Sequence, residues 1–266
     1  MLDKFNRDIH YLRISVTDRC NLRCVYCMPE DGVKLINHSD ILSFEEIYNF
    51  TKVAVKYGIN KVRITGGEPL VRKNIAELVK MLSQIKEIND LSLTTNGILL
   101  KEYAKALKCA GLKRVNISLD TLNENKFKQI TRGGDITKVF EGIEAAKIAG
   151  LEPIKINCVI EKSHNEPDAI KVKEYCDNNR LMIRFIHRMN LKTGEFSVVE
   201  GGAGGNCKIC NKLRLSSDGY LRPCLFNDIK YNIRELGTEN ALKIAIENKP
   251  KCGTHSYNNS FNVIGG

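Results

Sequence analysis

One pattern recurs three times in this chain. A helical stretch ends at a glycine, an apolar residue follows, and a strand begins, at Gly58-Ile59, Gly111-Leu112 and Gly150-Leu151. Around it, apolar spacing predicts strands over 10–17, 61–65, 91–95, 113–119, 152–160 and 182–187. Helices are predicted from a Ser43/Glu46 capping box to Tyr57, over about 73–86 and 100–109, through a region ending at Ala149, and over 166–178. Alternating strands and helices imply a parallel sheet with crossover helices. About 190 residues are too few for the eight units of a closed barrel. The expectation is an α/β fold, an incomplete (β/α)6 TIM-type barrel over residues 1–190. A small extension covers 191–266 beyond the glycine-rich stretch Gly201–Gly205, which reads as a flexible linker.

Alternation within the strands carries a second message. One side-chain set is apolar and suits packing against helices. The other holds Arg13 and Ser15, Arg63 and Thr65, Ser92 and Thr94, Asn116, Ser118 and Asp120, Lys155 and Asn157, and Arg184. Side chains two apart share a face, so these residues point into the barrel. A closed barrel fills that space with branched apolar residues. A cationic interior is costly unless water or an anion occupies it, so an open cavity is expected.

The cysteines fall into groups. Cys20, Cys24 and Cys27 follow the first strand as C-x3-C-x2-C. Three thiolates can hold three irons of a [4Fe-4S] cluster, which normally takes four cysteines, leaving one iron open to a small molecule. Zinc prefers a closed set of four ligands. Gly66-Gly67-Glu68-Pro69 ends the second strand, where glycines allow close backbone approach and Glu68 can pair with an ammonium. Further on, Asp218-Gly219 signals a hairpin that returns Cys224 beside Cys207 and Cys210. Cys252 could complete that set, closing a cluster or forming a zinc site. Cys109, Cys158 and Cys176 read as ordinary buried thiols.

The cysteine spacing with GGEP downstream resembles the radical S-adenosylmethionine (SAM) superfamily. From Arg13 to the tail Phe261-Asn262-Val263-Ile264-Gly265-Gly266, the chain further resembles the GTP 3′,8-cyclases (the MoaA family) of molybdenum cofactor biosynthesis. The resemblance implies a lyase with two [4Fe-4S] clusters and SAM. Cys20, Cys24 and Cys27 would hold the first cluster. Gly67, Glu68, Ser118 and Met189 would contact SAM, with Tyr26 against its adenine. A 5′-deoxyadenosyl radical would then take hydrogen from the substrate. Cys207, Cys210 and Cys224 would hold the second cluster, whose open iron binds guanine. Arg13, Arg63, Thr94, Lys155, Arg184, Lys212 and Arg214 match GTP-contacting positions, and the Gly265-Gly266 tail would reach into the active site with Arg13, Arg63, Arg184 and Arg214. An electron donor such as ferredoxin or flavodoxin is implied, and a homodimer is possible. The chain departs from the family at Lys212, usually Arg, and at His187-Arg188, usually an acidic residue and an aromatic. The connector from Met189 to Cys207 is also much shorter.

Composition narrows the remaining classes. No apolar run approaches the ~20 residues that span a bilayer, and Met1–His10 is polar, so a soluble cytoplasmic protein is expected. Ten cysteines, six of them in tight groups, fit a reducing compartment. The net charge of +10 falls largely on helical lysines such as those between Lys101 and Lys113. With no basic run interleaved with aromatics, neither nucleic acid nor membrane is an expected partner; GTP or a related anionic small molecule is. A radical SAM enzyme acting on another nucleotide or a peptide, or a non-catalytic metal-binding module, are the alternatives.

Overall fold

The computed structural model describes residues 1–257 and 260–265. Strands β1 (Tyr11–Ser15), β2 (Lys61–Thr65), β3 (Asp90–Thr95), β4 (Arg114–Ser118), β5 (Lys155–Ile160) and β6 (Met182–His187) pair in parallel, each with the next. Helices α1 (Phe44–Lys56), α2 (Ile75–Ser83), α3 (Leu100–Cys109), α4 (Glu124–Thr131), α5 (Ile136–Ile148) and α6 (Pro167–Asn178) connect them. The helical region expected to run up to Ala149 is two helices, because Arg132 and Gly133 both take positive φ (53° and 111°). Gly58, Gly111 and Gly150 also take positive φ, the backbone that ends a helix and turns it into the next strand.

The sheet continues past β1. Strand β7 (Lys212–Leu215) adds to β1 in parallel, and β8 (Tyr220–Arg222) and β9 (Tyr231–Asn232) follow antiparallel, giving the order β6-β5-β4-β3-β2-β1-β7-β8-β9. β6 and β9 stand at opposite edges, so the barrel is open. The C-terminal stretch thus shares the sheet of the first six strands. Short α7 (Ile233–Leu236) leads to α8 (Thr238–Glu247), which packs on α1, and α9 (Phe261–Ile264) lies against β1.

Burial follows the alternation. Leu12, Ile14, Val62, Ile64, Leu93, Val115, Ile117 and Ile156 are fully buried and share one core with Ile47, Phe50, Leu78, Leu107, Val139 and Ile143 of the helices. Cys158 and Cys176 belong to this core, whereas Cys109, expected to be buried, is exposed where α3 ends. The N-terminus of α1 carries the expected capping box: Glu46 N donates to Ser43 Oγ at 3.1 Å, and Ser43 N donates to Glu46 Oε2 at 2.7 Å. Arg234 also donates to Glu46, at 2.6 and 3.0 Å, tying α1 to α7.

The Gly201–Gly205 stretch is a wall, not a loose linker. Gly201 and Gly205 take positive φ, and a Cβ there would fall 2.7 Å from Ile183 O and 1.9 Å from Ser197 O. Only glycine lets the connector fold this tightly on β6 and on itself. Bridges Phe185–Glu200 and Asn190–Glu195 fix it, and Glu200 holds His164 at 2.6 Å and His187 at 3.5 Å.

Ser43→Ala removes one half of the capping box. It should lower unfolding free energy by about 1 kcal/mol in urea titration and leave iron binding unchanged.

Candidate active site

Strand direction sets where the two cysteine groups lie. Cys20, Cys24 and Cys27 follow the C-terminal end of β1. β7 is parallel to β1 with Tyr11 opposite Lys212, so Cys207 and Cys210 lie at the N-terminal end of the same strands. The antiparallel pair Arg214–Arg222 returns the chain, and Cys224 emerges at that end too.

The first group is braced on both sides. Gly67 N donates to Thr17 O at 2.7 Å and Glu68 N to Arg19 O at 2.8 Å. A Cβ on Gly67 would stand 2.4 Å from Arg19 O, so this glycine is required by the cysteine loop itself. Arg132 Nη1 donates to Arg23 O (2.8 Å) and Met28 O (3.0 Å). Buried Asp18 accepts from Arg19 Nη1 (2.7 Å) and Ile36 N (2.6 Å). Burial pushes the Cys20 thiol up to about 11. Cys24 and Cys27 rise to about 12, through burial and then, for Cys24, the charges of Asp120, Cys27 and Cys20. Thiols that oppose one another's ionisation suit a shared cationic centre.

Two carboxyls sit beside this loop. Glu68 accepts from Thr95 Oγ1 (2.8 Å), Asn96 N (2.7 Å) and Leu70 N (3.0 Å). Burial outweighs these bonds and raises it to about 7. Asp120 accepts from Tyr26 Oη (2.7 Å) and Val159 N (2.8 Å), and burial raises it to about 6. Tyr26 is therefore fixed against Asp120, and burial raises its phenol well above its ordinary value.

Beneath this level a cavity of about 260 Å³ opens on the polar face of the sheet, bounded by Arg13, Arg63, Arg184, Lys212 and Arg214. Arg214, Arg13 and Arg63 stand in register on β7, β1 and β2. Burial first, then the neighbouring cations, brings Arg13 and Arg63 down to about 10, and burial also lowers Arg184 and Arg214. Lys155 and Lys212 fall to about 8, again chiefly through burial. Asp90 neutralises Lys61 (3.0 Å) and Arg114 (2.7 Å). Among the described residues no carboxylate forms an ion pair with Arg63, Lys155, Arg184, Lys212 or Arg214. Arg184 Nε is buried without a hydrogen-bond partner. These are the features of an anion site.

Cys207, Cys210 and Cys224 line the lower mouth of the cavity. The connector forms its side, where Phe196 stacks on Phe226 with ring centroids 4.4 Å apart. Phe226 belongs to a satellite core with Leu191, Leu225 and Ile264, against which Met189, Phe261 and Val263 pack. The tail enters from above: Arg214 Nη1 donates to Gly265 O at 2.6 Å, and Gly265 lies so close to Thr65 that a Cβ would be 2.4 Å from its Cγ2. Gly266 lies outside the described residues.

Of the anticipated site residues, Arg13, Arg63, Arg184, Met189, Lys212, Arg214 and the second cysteine group meet at this cavity. Thr94, Ser118 and Lys155 stand on the same face of the sheet but outside the cavity wall, and Tyr26, Gly67 and Glu68 cluster at the first cysteine loop. Sequence reading missed Tyr11, Asp90 and Arg114, although all three share the parity of the residues it chose. It also missed Phe196, which no local pattern announces.

The radical SAM superfamily model matches residues 14–176. A GTP 3′,8-cyclase of Thermodesulfovibrio yellowstonii is 44% identical, with 89% of this chain and 88% of that one covered. One of Listeria monocytogenes is 41% identical, over 94% and 90%. The chain belongs to the GTP 3′,8-cyclase family of radical SAM enzymes. The alignment with the T. yellowstonii enzyme runs over 282 positions against 266 residues here, so that relative carries residues this chain lacks. The fold is similar to Streptococcus suis SuiB bound to precursor peptide SuiA, at a TM-score of 0.67 and 17% identity, covering 91% of this chain. The chain spans 66% of SuiB's length.

A radical SAM enzyme uses SAM and a [4Fe-4S] cluster, and the first cysteine group fits that cluster. Among the described residues no three His, Cys, Asp or Glu side chains close on one ion-sized point, as a zinc site would require. A four-iron cluster takes one thiolate per iron and spreads them wider. Glu68, which has no ion-pair partner among the described residues, suits an ammonium. No helix of the described residues is long and apolar enough to cross a membrane.

Gly67→Ala should push the cysteine loop off its seat. Reconstituted protein should then lose about four irons per chain relative to wild type, measured by iron and sulfide analysis. Glu68 supplies a pH signature in cluster-free protein. Its folded pKa of about 7 lies above the unfolded 4.5, so its proton is held by the folded state. That stabilisation is present below pH 4.5 and lost as pH rises through 7. Relative to wild type, Glu68→Gln should gain roughly 2.5 kcal/mol of stability between pH 5 and pH 8, read by urea unfolding.

Proposed function

We propose that this chain converts GTP to 3′,8-cyclo-7,8-dihydro-GTP in molybdenum cofactor biosynthesis. The observation that carries the reading is the row Arg214–Arg13–Arg63 on adjacent strands. Neighbouring strands are about 4.8 Å apart, so three guanidinium groups track a chain of phosphates, each able to make forked contacts. Arg184 and Lys155 extend the cationic surface. Cys207, Cys210 and Cys224 would hold a second [4Fe-4S] cluster at the lower mouth, three thiolates leaving one iron free for the guanine. The triphosphate would then lie along the arginine row, with the base towards the cysteines.

SAM with the first cluster supplies hydrogen-atom abstraction when bound. The net change in the nucleotide is one new C3′–C8 bond, with the C3′ hydrogen lost to 5′-deoxyadenosine and a proton and an electron gained by the imidazole ring. The chain's part is to hold the two reacting carbons together, which reduces the entropic cost of ring closure. The tail at Gly265, the stacked Phe196 and Phe226 and the glycine wall exclude water around the sugar. Arg214 has two tasks, holding the tail carbonyl and facing the substrate. Two electrons and a proton come from outside, one electron for SAM cleavage and the other, with the proton, for the dihydro-imidazole ring; a ferredoxin or flavodoxin is a suitable donor. A related nucleotide is the second reading, favoured by the compact connector that forms one cavity wall.

Incubation of reconstituted enzyme with dithionite, SAM and GTP, followed by liquid chromatography and tandem mass spectrometry, separates the two. A cyclised product isobaric with GTP is expected; SAM cleavage without it supports the second reading. Arg214→Ala should lower kcat by at least ~10²-fold, the scale of losing one charge-stabilising donor, with both clusters still loaded. Failure to assemble iron would remove the substrate-contact role.

A further inference from the structure

A fourth cysteine touches the second group. Cys252 Sγ lies 3.2 Å from Cys207 Sγ, and the contact is built from below. Arg7 donates through Nη1 to Cys207 O (2.9 Å) and Lys251 O (3.0 Å), and through Nη2 to Pro250 O (2.7 Å). Arg7 is itself paired with buried Asp3 at 2.6 Å. One buried guanidinium therefore fixes both backbones that carry the sulfur pair. The next residue, Gly253, runs so close to Cys224 that a Cβ would stand 3.2 Å from its Sγ. Buried Lys249 donates to Lys212 O and Pro223 O at 2.7 and 2.5 Å, so the 249–253 segment wraps the group. Cys207, Cys210 and Cys224 line the cavity, whereas Cys252 is exposed and does not.

Spacing decides what Cys252 can do. Two thiolates on one tetrahedral ion lie about 3.8 Å apart. Each iron of a [4Fe-4S] cluster takes one cysteine, and thiolates on different irons are separated by the body of the cluster. At 3.2 Å, Cys207 and Cys252 meet at one corner. We propose that Cys207 and Cys252 are alternative ligands of the same iron in the second cluster. The group then has four cysteines for three corners, and the corner facing the cavity stays open. The proposal rests on the reading that Cys207, Cys210 and Cys224 hold a cluster. Exchange transfers no electrons: the incoming thiol releases its proton to solvent, and the departing thiolate takes one up.

The holoenzyme tests this directly. Anaerobically loaded wild-type protein is treated with iodoacetamide and mapped by peptide mass spectrometry. Cys207 and Cys252 should each be modified in part, the two together amounting to about one thiol per chain, while Cys210 and Cys224 are protected. Full modification of Cys252 with Cys207 protected overturns the proposal, as does protection of both. Variants give a second readout in a Cys20→Ala, Cys24→Ala, Cys27→Ala background, where only the second site can load. Cys207→Ala should keep about four irons, and Cys207→Ala with Cys252→Ala should keep none. Loss of iron in Cys207→Ala alone overturns the shared corner. An iron-free parent overturns the second cluster itself, a different result.

Discussion

Three guanidinium groups side by side on β7, β1 and β2, those of Arg13 and Arg63 buried and that of Arg214 half-buried, with Arg184 on the same cavity, set the terms for the rest of the structure. Burying a charge costs several kcal/mol even after relaxation, and a guanidinium cannot escape by shedding its proton. Arg13 and Arg63, at about 10, remain charged at neutral pH. Elsewhere the protein does supply counter-charges: Asp90 takes Lys61 and Arg114, and Asp3 takes Arg7. Among the described residues no carboxylate pairs with Arg63, Arg184 or Arg214, which leaves uncompensated positive charge facing the cavity. An open sheet is the architecture that tolerates this, since a closed barrel would have to fill the same space with apolar side chains.

The direction of the strands then does the spatial work. A loop after β1 and a loop before β7 necessarily lie at opposite ends of a parallel pair, separated by roughly 13 Å of five-residue strand. The first cysteine group stands at the upper end and the second at the lower. The arginine row crosses the strands midway, one residue per strand. The tail reaches the upper part of the same space, where Gly265 lies between Thr65 and Arg214.

Most of the strand and helix plan was legible locally, because apolar spacing and glycine stops are short-range signals. Strand β6 and helix α3 match their expected limits, and the capping box at Ser43 and Glu46 is present in full. The inward polar set was legible for the same reason: side-chain parity on a strand needs no tertiary information. The parallel pairing of β7 with β1 joins Leu12 to Leu213, a contact across most of the chain that leaves no local mark. The break at Arg132 was missed because arginine seldom adopts positive φ. The glycine wall read as loose because composition does not distinguish glycines that permit motion from glycines that permit close packing.

That wall is built into the interior of the C-terminal half and is not a peripheral loop. Phe196 stacks on Phe226, and Phe226 shares a small core with Leu225, which follows Cys224, and with Ile264 of the tail. His187 of β6 meets Glu200 of the connector at 3.5 Å, beside the 2.6 Å contact of His164. One apolar cluster thus joins the connector, the third cysteine segment and the tail, while a carboxylate shared by two histidines ties the connector to β6. Side chains in mutual contact do not respond independently, so the connector is coupled to the placement of both the tail and the second cysteine group. The arginine row is carried by β7, β1 and β2, and the bond from Arg214 Nη1 to Gly265 O links it to that cluster, so the connector, the tail and the cationic face of the cavity are placed together.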